Sequence, residues 1–319
     1  MLTCALLDDY QETALARADY SSLTDRVRFD VFSDHISDTE ALIARLQNYD
    51  IVVAMRERTP FGRDRLSRLP RLKLLITTGL KNASIDLAAA QDHQIRVCNT
   101  PGFPGSTAEL TWALLLSIMR HLPQEMQGFK TAHPQWQQTV GRDLQGLTLG
   151  VLGLGTLGAR VARYGRAFDM TVLGHSRSLT PQQAEAMGIT FVPDLTTMSE
   201  KADIISIHLP LNAQTQGMIG ATEIARMKRG VVLLNTSRGP LIDEAALLDA
   251  LRSEHVGAVG LDVFDVEPLP NTHPFRTMHQ VHATPHLGYV TQNSYRAFYN
   301  GVVEVIAAYL SGQPVRVLV

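Results

Sequence analysis

The chain has 319 residues, 45% of them hydrophobic and 19% charged, so it can bury large cores and is longer than most single domains; two domains are expected. Its 29 basic and 31 acidic residues leave a formal charge of -2, which gives no reason to expect nucleic acid or an acidic lipid surface as a partner. No apolar run approaches the roughly 18 residues that a membrane span needs, and the two cysteines, Cys4 and Cys98, stand far apart in strand-like contexts. They are expected as buried free thiols in a reducing cytoplasm, with neither a disulfide nor a metal site.

Short apolar strands alternate with helical stretches almost throughout, the pattern of a parallel α/β sheet with helices on both faces. The amino-terminal Met1-Leu-Thr-Cys-Ala-Leu-Leu-Asp-Asp has no basic leader and turns acidic after its apolar run, so it reads as a first strand, not a signal peptide. Strands are predicted at Leu2 to Leu7, Val27 to Phe32, Ile51 to Ala54, Leu72 to Thr77 and Ile95 to Cys98. Asp38 can cap a helix through Leu46 with Leu42, Ile43 and Leu46 on its apolar side. The basic cluster Arg63 to Arg71 is broken by Asp64, leucines and Pro70, and reads as a solvated helix face.

Asn99-Thr-Pro-Gly-Phe-Pro-Gly is a proline and glycine cluster, hence a linker or hinge. Ser106-Thr-Ala-Glu109 has capping-box spacing and opens a strongly apolar helix through Met119, which must be buried on several sides, between domains or between subunits. A loose polar stretch is expected from Gln124 to Gln145. Further strands are predicted at Leu147 to Leu152, Met170 to Leu173, Ile204 to Ile207, Val231 to Leu234, Ala258 to Leu261 and Gln280 to Ala283. One long helix, Gln292 to Leu310, is expected to return to the first domain. The expected fold is therefore α/β with two doubly wound parallel-sheet domains, one discontinuous over 1–100 and 288–319, the other over 101–287.

Gly153-Leu-Gly-Thr156-Leu157-Gly158 stands between a predicted strand and a predicted helix, Leu157 to Phe168. Gly153 permits the tight turn, Gly155 lets the backbone approach a pyrophosphate, and Gly158 allows close packing of helix on sheet. The helix amino terminus offers free N-H groups to phosphate. Such loops also occur in methyltransferases, so the loop alone leaves the reaction open. The next strand ends Gly174-His-Ser-Arg-Ser178, with no acid to take a ribose 2′-hydroxyl; Asp169 lies at the wrong end. Ser176 and Arg177 stand where ligands of a 2′-phosphate would be useful, so NADP is expected in preference to NAD, against the blander reading of Arg177 as a solvated side chain.

Three polar residues follow three apolar strands: Arg238 in Asn235-Thr-Ser-Arg-Gly, Glu267 in Asp262-Val-Phe-Asp-Val-Glu-Pro, and His286 in Thr284-Pro-His-Leu-Gly. Ligands of open α/β sheets bind beyond the carboxyl ends of the strands, so these three belong at one rim. Each alone is structural at least as often as catalytic, but coincidence at three rim positions is much rarer. Histidine titrates near neutral pH and suits proton exchange with a carbonyl or hydroxyl oxygen. Glu267 would hold the other ring nitrogen, and the planar fork of Arg238 would bridge a carboxylate and the carbonyl oxygen. The set suits interconversion of a 2-oxo acid and a 2-hydroxy acid.

These motifs, with His273-Pro, resemble the D-isomer-specific 2-hydroxyacid dehydrogenases, the phosphoglycerate dehydrogenase and glyoxylate/hydroxypyruvate reductase group. The resemblance covers nearly the whole chain. It implies a Rossmann nucleotide-binding domain inserted in a smaller flavodoxin-like substrate domain, a homodimer, and catalytic roles for Arg238, Glu267 and His286. It also implies that Asp262 contacts the nicotinamide carboxamide, that His208, Pro210, Thr236 and Ser237 line the cofactor cleft, that Thr107 lies near the nicotinamide, and that Gly288 binds the cofactor. Glu267 separates the chain from the formate dehydrogenase branch, whose histidine partner is usually glutamine. The chain departs from its group at Gly79-Leu80-Lys81-Asn-Ala-Ser-Ile-Asp86, where Lys81 replaces a glycine and Ala83 an aspartate, and at Tyr289, where a small residue is common. The amides of Leu80 and Lys81 are still expected to hold a carboxylate, with Arg56 as an extra anion ligand. A nucleotide-sensing binding or co-repressor protein on the same fold is the rival reading.

Overall fold

Four-residue runs such as Ile51-Val-Val-Ala54 and Leu74-Leu-Ile-Thr77 have every residue buried, as strands covered on both faces require. In the computed structural model, which describes residues 1–103 and 105–319, these runs lie side by side in a parallel sheet. The sheet is built from β1 (Leu2–Leu6), β2 (Val27–Val31), β3 (Ile51–Ala54), β4 (Leu74–Thr77) and β5 (Arg96–Asn99), in the order β2-β1-β3-β4-β5. It belongs to the first of two units, Met1–Phe103 with Thr291–Val319.

Asp38 caps the helix Thr39–Leu46 by accepting from Ala41 N-H, and Leu42, Ile43 and Leu46 are its buried face. The helix Gln292–Leu310, capped by Thr291, buries Tyr295, Phe298, Tyr299, Val302, Val305 and Ile306 in the same unit. Gly301 lets it pass close to the chain after β5, where a Cβ would stand 2.5 Å from Pro101 and 2.7 Å from Thr100. Cys4 and Cys98 are free and fully buried, and burial pushes the Cys98 thiol up to about 11 and the Cys4 thiol further, which disfavours the thiolate form.

The second unit, Pro104–Val290, holds a seven-stranded parallel sheet. Its strands are β6 (Thr148–Leu152), β7 (Thr171–His175), β8 (Thr190–Phe191), β9 (Ile204–Ile207), β10 (Val231–Asn235), β11 (Val256–Leu261) and β12 (Val281–Ala283). The order β12-β11-β10-β9-β6-β7-β8 reverses direction between β6 and β9, where such sheets open a crevice at their carboxyl ends. Alternate residues feed two cores: Ile205, Leu233 and Val259 on one face, Leu149, Val151, Ile204, Val232 and Leu234 on the other.

The apolar helix Ser106–Met119 packs on this sheet within its own unit, with Leu114 and Ile118 close to Gly260. Its N-cap is Gly105 and no side-chain cap forms; Ser106 is the first helical residue, so the predicted capping box is absent. The stretch predicted as loose contains a helix, Leu122–Lys130, entered through His121 in the left-handed region at φ 49° with Pro123 in its first turn, where a missing N-H costs nothing. Pro104 of the linker cluster lies outside the described residues. Among the described residues no helix is long and apolar enough to cross a membrane.

Candidate active site

Strand β6 runs straight into the glycine loop. Gly153 has φ 94°, and a Cβ there would stand 2.5 Å from the His208 carbonyl oxygen. At Gly158 a Cβ would overlap the Gly153 carbonyl, so the helix Thr156–Ala167 approaches the loop as only glycine allows. Gly155 is that helix's N-cap and makes no side-chain cap; it and Thr156 are exposed, with Leu157 half-buried behind them. The unmet N-H groups of the first turn thus face outward, a fit for an anion such as a pyrophosphate.

Beyond β7, Ser176 is half-buried and Arg177 exposed, its Nη1 3.5 Å from Gln214 Oε1. Asp169 lies before β7, at the opposite end from these two. Beyond β9, His208 N-H donates to Leu152 O (2.7 Å), and its Nε2 lies 2.8 Å from Ser206 Oγ. Burial pulls its pKa down to about 4, leaving a neutral ring. Pro210 O accepts from Thr215 Oγ1 (2.7 Å), which shapes the turn that follows.

The loop after β10 is held by its own polar groups. Asn235 Nδ2 donates to Arg238 O (2.8 Å) and Asn235 Oδ1 accepts from Ser237 N-H (3.1 Å). Ser237 Oγ donates to Ile207 O (2.9 Å), Thr236 Oγ1 pairs with Thr111 Oγ1 (2.7 Å), and Arg238 Nη1 donates to Ser237 O (2.6 Å). A Cβ on Gly239 would overlap the Phe264 carbonyl, so the Arg238 loop lies directly on the loop that carries Glu267.

Glu267 and His286 are in contact: His286 Nδ1 lies 2.7 Å from Glu267 Oε2, and Glu267 Oε1 accepts from Phe264 N-H (2.9 Å). The carboxylate is therefore held at both oxygens, and a Nδ1-H donated to it leaves Nε2 as the working nitrogen. The His286 and Glu267 side chains are 23% and 34% exposed respectively, accessible to a small ligand. His286 sits at φ 54°, a left-handed conformation that its neighbours impose.

Asp262 supplies much of that constraint, in a way not legible from the sequence. Its Oδ1 accepts from Thr284 Oγ1 and Leu287 N-H (both 2.6 Å), its Oδ2 from Gly288 N-H (2.8 Å). Burial pushes the carboxyl up while these hydrogen bonds oppose the shift. Thr107 Oγ1 closes the turn by donating to Gly288 O (3.1 Å). The only sequence signal was an acid directly after an apolar strand; its partners lie about 25 residues on, at spacings that suggest nothing.

In the first unit, Arg56 follows β3 at φ 52° and Gly79 follows β4 at φ 83°. Arg56 N-H donates to Thr78 Oγ1 (2.9 Å), and its Nη1 to Thr78 O (3.0 Å) and Lys81 O (3.3 Å). Gly79 N-H donates to Thr100 Oγ1 (2.8 Å). Leu80 and Lys81 are exposed, and among the described residues their N-H groups donate to no protein acceptor. The loop can thus offer two amides to an anion. Among the described residues no group of three or more His, Cys, Asp or Glu could hold a metal ion.

The family model described as D-isomer specific 2-hydroxyacid dehydrogenase, NAD binding domain, matches residues 112–288, more than half of the chain. A D-3-phosphoglycerate dehydrogenase of Methanocaldococcus jannaschii is 36% identical over 275 residues, 86% of this chain and 52% of that protein. The chain spans about half the length of the D-3-phosphoglycerate dehydrogenases it matches. A glyoxylate reductase of Aeropyrum pernix is 36% identical over 260 residues, 78% of this chain and 77% of its own. The crystal structure of a phosphoglycerate oxidoreductase from Vibrio cholerae superimposes with a TM-score of 0.92 at 34% identity, covering 98% of this chain and 100% of the other. On these matches and on the two parallel sheets, the chain belongs to the D-isomer specific 2-hydroxyacid dehydrogenase family.

Proposed function

We propose that the protein interconverts a small 2-oxo acid and its D-2-hydroxy acid, using NADP(H) in preference to NAD(H). The observation that carries this reading is the 2.7 Å contact of His286 Nδ1 with a Glu267 carboxylate itself anchored on Phe264 N-H. A reduced nicotinamide, when bound, supplies the hydride that adds to C2. His286 gives the proton from Nε2 to the carbonyl oxygen, and takes it back from the hydroxyl in the reverse direction. Arg238 binds the acid group and steadies the developing charge on the oxygen. The amides of Leu80 and Lys81, after Gly79, are assigned to a substrate carboxylate.

The cofactor is assigned to Gly153 through Gly158, with Thr107, His208, Pro210, Thr236, Ser237, Asp262 and Gly288. A neutral His208 adds no charge there. The NADP preference rests on the exposed Arg177 beside Ser176 and on the lack of an acid directly after β7. We also assign a homodimer, supported by apolar side chains open to solvent in the second unit, among them Phe129 (74%), Trp136 (80%) and Val140 (93%). A cytoplasmic location is part of the same reading, supported by two free buried thiols.

The test is a panel of glyoxylate, hydroxypyruvate, pyruvate, phenylpyruvate and branched 2-oxo acids with NADPH and NADH, followed by loss of reduced-nicotinamide absorbance. Turnover with at least one acid, and a higher kcat/KM for NADPH, is expected. Silence across the panel would favour a nucleotide-sensing binding protein on this fold, and an equal or higher kcat/KM for NADH would remove the NADP preference alone.

A further inference from the structure

Arg56 does not present an open cation. Register between β3 and β4 (Ala54 with Thr77) sets the chain after β3 beside the turn after β4. The guanidinium lies across Gly79, where a Cβ would overlap Nη1, and Nη1 is spent on the carbonyls of Thr78 and Lys81. Asn82 Nδ2 donates to Arg56 O (2.6 Å) and to Thr77 Oγ1 (3.0 Å), closing the turn from the other side. The remaining amino group, Nη2, faces Glu57 Oε2 at 3.5 Å, and both side chains are only 18% exposed. A shielded pair of this kind keeps much more of its Coulomb attraction than a solvated one.

We propose that Glu57 determines substrate specificity: by neutralising Arg56 beside the Gly79 to Lys81 turn, it restricts the enzyme to 2-oxo acids whose carboxylate is their only anionic group. The assignment rests on the 2-oxo acid reading and names the substrate class within it. A neutral side chain reaching Arg56 leaves the ion pair intact. A phosphate or second carboxylate must pull the guanidinium away from Glu57, and then stands within a few ångströms of a like charge. The two unmatched amides of Leu80 and Lys81 provide for one carboxylate. The exposed Lys81 ammonium is solvated and screened, and compensates a second anion only weakly.

Glu57→Gln keeps the length of the side chain and removes its charge. The full-length wild type and this variant are compared in kcat/KM on singly charged acids (glyoxylate, hydroxypyruvate, pyruvate) and doubly charged ones (oxaloacetate, 2-oxoglutarate). Wild type is expected to favour the singly charged set. The variant should shift the ratio toward the doubly charged set by about tenfold or more, through a lower KM for those acids. Glu57→Ser, which removes the charge by another route, should shift it in the same direction. A ratio unchanged in both variants, or a wild type that prefers the doubly charged acids, overturns the role of Glu57 while leaving the reaction in place. A wild type that turns over no 2-oxo acid overturns the functional reading and this assignment together.

Discussion

Both sheets place a glycine at positive φ just past a strand end, Gly79 separated from β4 by Thr78 and Gly153 immediately after β6, yet different things hold the two turns. Around Gly153 the constraint is backbone against backbone: a Cβ would press on the His208 carbonyl, and one on Gly158 would overlap the Gly153 carbonyl. Around Gly79 it is a side chain, the Arg56 guanidinium, that occupies the space of a Cβ. A turn closed by main chain tolerates no substitution and has one shape. A turn closed by side chains can be retuned one residue at a time, and this is the turn that holds Lys81 and Ala83 and that the paired Arg56 and Glu57 lie against.

The largest effect should come from the second unit, which carries the main-chain-held turn. His286→Ala is expected to lower kcat by about a thousandfold or more, within the range for removing a positioned acid-base group, while reduced-nicotinamide binding measured by fluorescence stays near wild type. Near-normal turnover would mean that the Glu267 and His286 contact is structural. Gly158→Ala comes next. Because the added methyl meets a carbonyl that cannot rotate away, cofactor affinity should fall about a hundredfold even where circular dichroism shows a folded chain. Unchanged affinity would show that this loop yields as a side chain does.

That difference also explains what could be read in advance. Strand β9, Ile204–Ile207, and the helix Gln292–Leu310 have the bounds that the sequence predicts, because an isoleucine-rich run and a long helical stretch are local signals. The glycine loop and the Glu267 and His286 pair were legible for a related reason: each constraint is written in the residue that bears it. The helix Leu122–Lys130 was not, because Pro123 reads as a breaker until it is known to occupy the first turn. The two-residue strand β8 is too short to show a period. The Asp262 network and the pairing of Arg56 with Glu57 depend on where distant or adjacent side chains point, and Arg56-Glu-Arg58 in a sequence is only a charged triplet.

His208 offers a thermodynamic probe of the main-chain-held edge. The unfolded chain binds its proton at about 6.5 and the folded one only at about 4, so between those values the unfolded state holds more protons and stability falls as the pH falls. The loss attributable to this group amounts to about 2–3 kcal/mol by the acid end of the window. Trp112 and Trp136 both lie in the second unit, so tryptophan fluorescence in urea reports the unit that carries His208. His208→Gln should flatten the dependence over this window; an unaltered slope would mean that the ring is protonated in the fold at a cost met elsewhere.

The smallest expected effect is on the other edge. Gly79→Ala must place an alanine at φ 83° and displace Arg56 Nη1, the end of a flexible side chain. The backbone term costs about 1–2 kcal/mol, and the displaced guanidinium can find other acceptors in the same turn. The unfolding midpoint should therefore drop by a few degrees at most, with reduced-nicotinamide affinity unchanged and the KM for 2-oxo acids raised. Gly79→Ala combined with Arg56→Ala separates the two contributions: if side-chain packing sets this turn, the double variant should recover part of the stability lost by Gly79→Ala alone, because the space that the methyl needs has been vacated. A double variant whose losses simply add would place the constraint at Gly79 in the backbone, and the two edges would then be held by the same means.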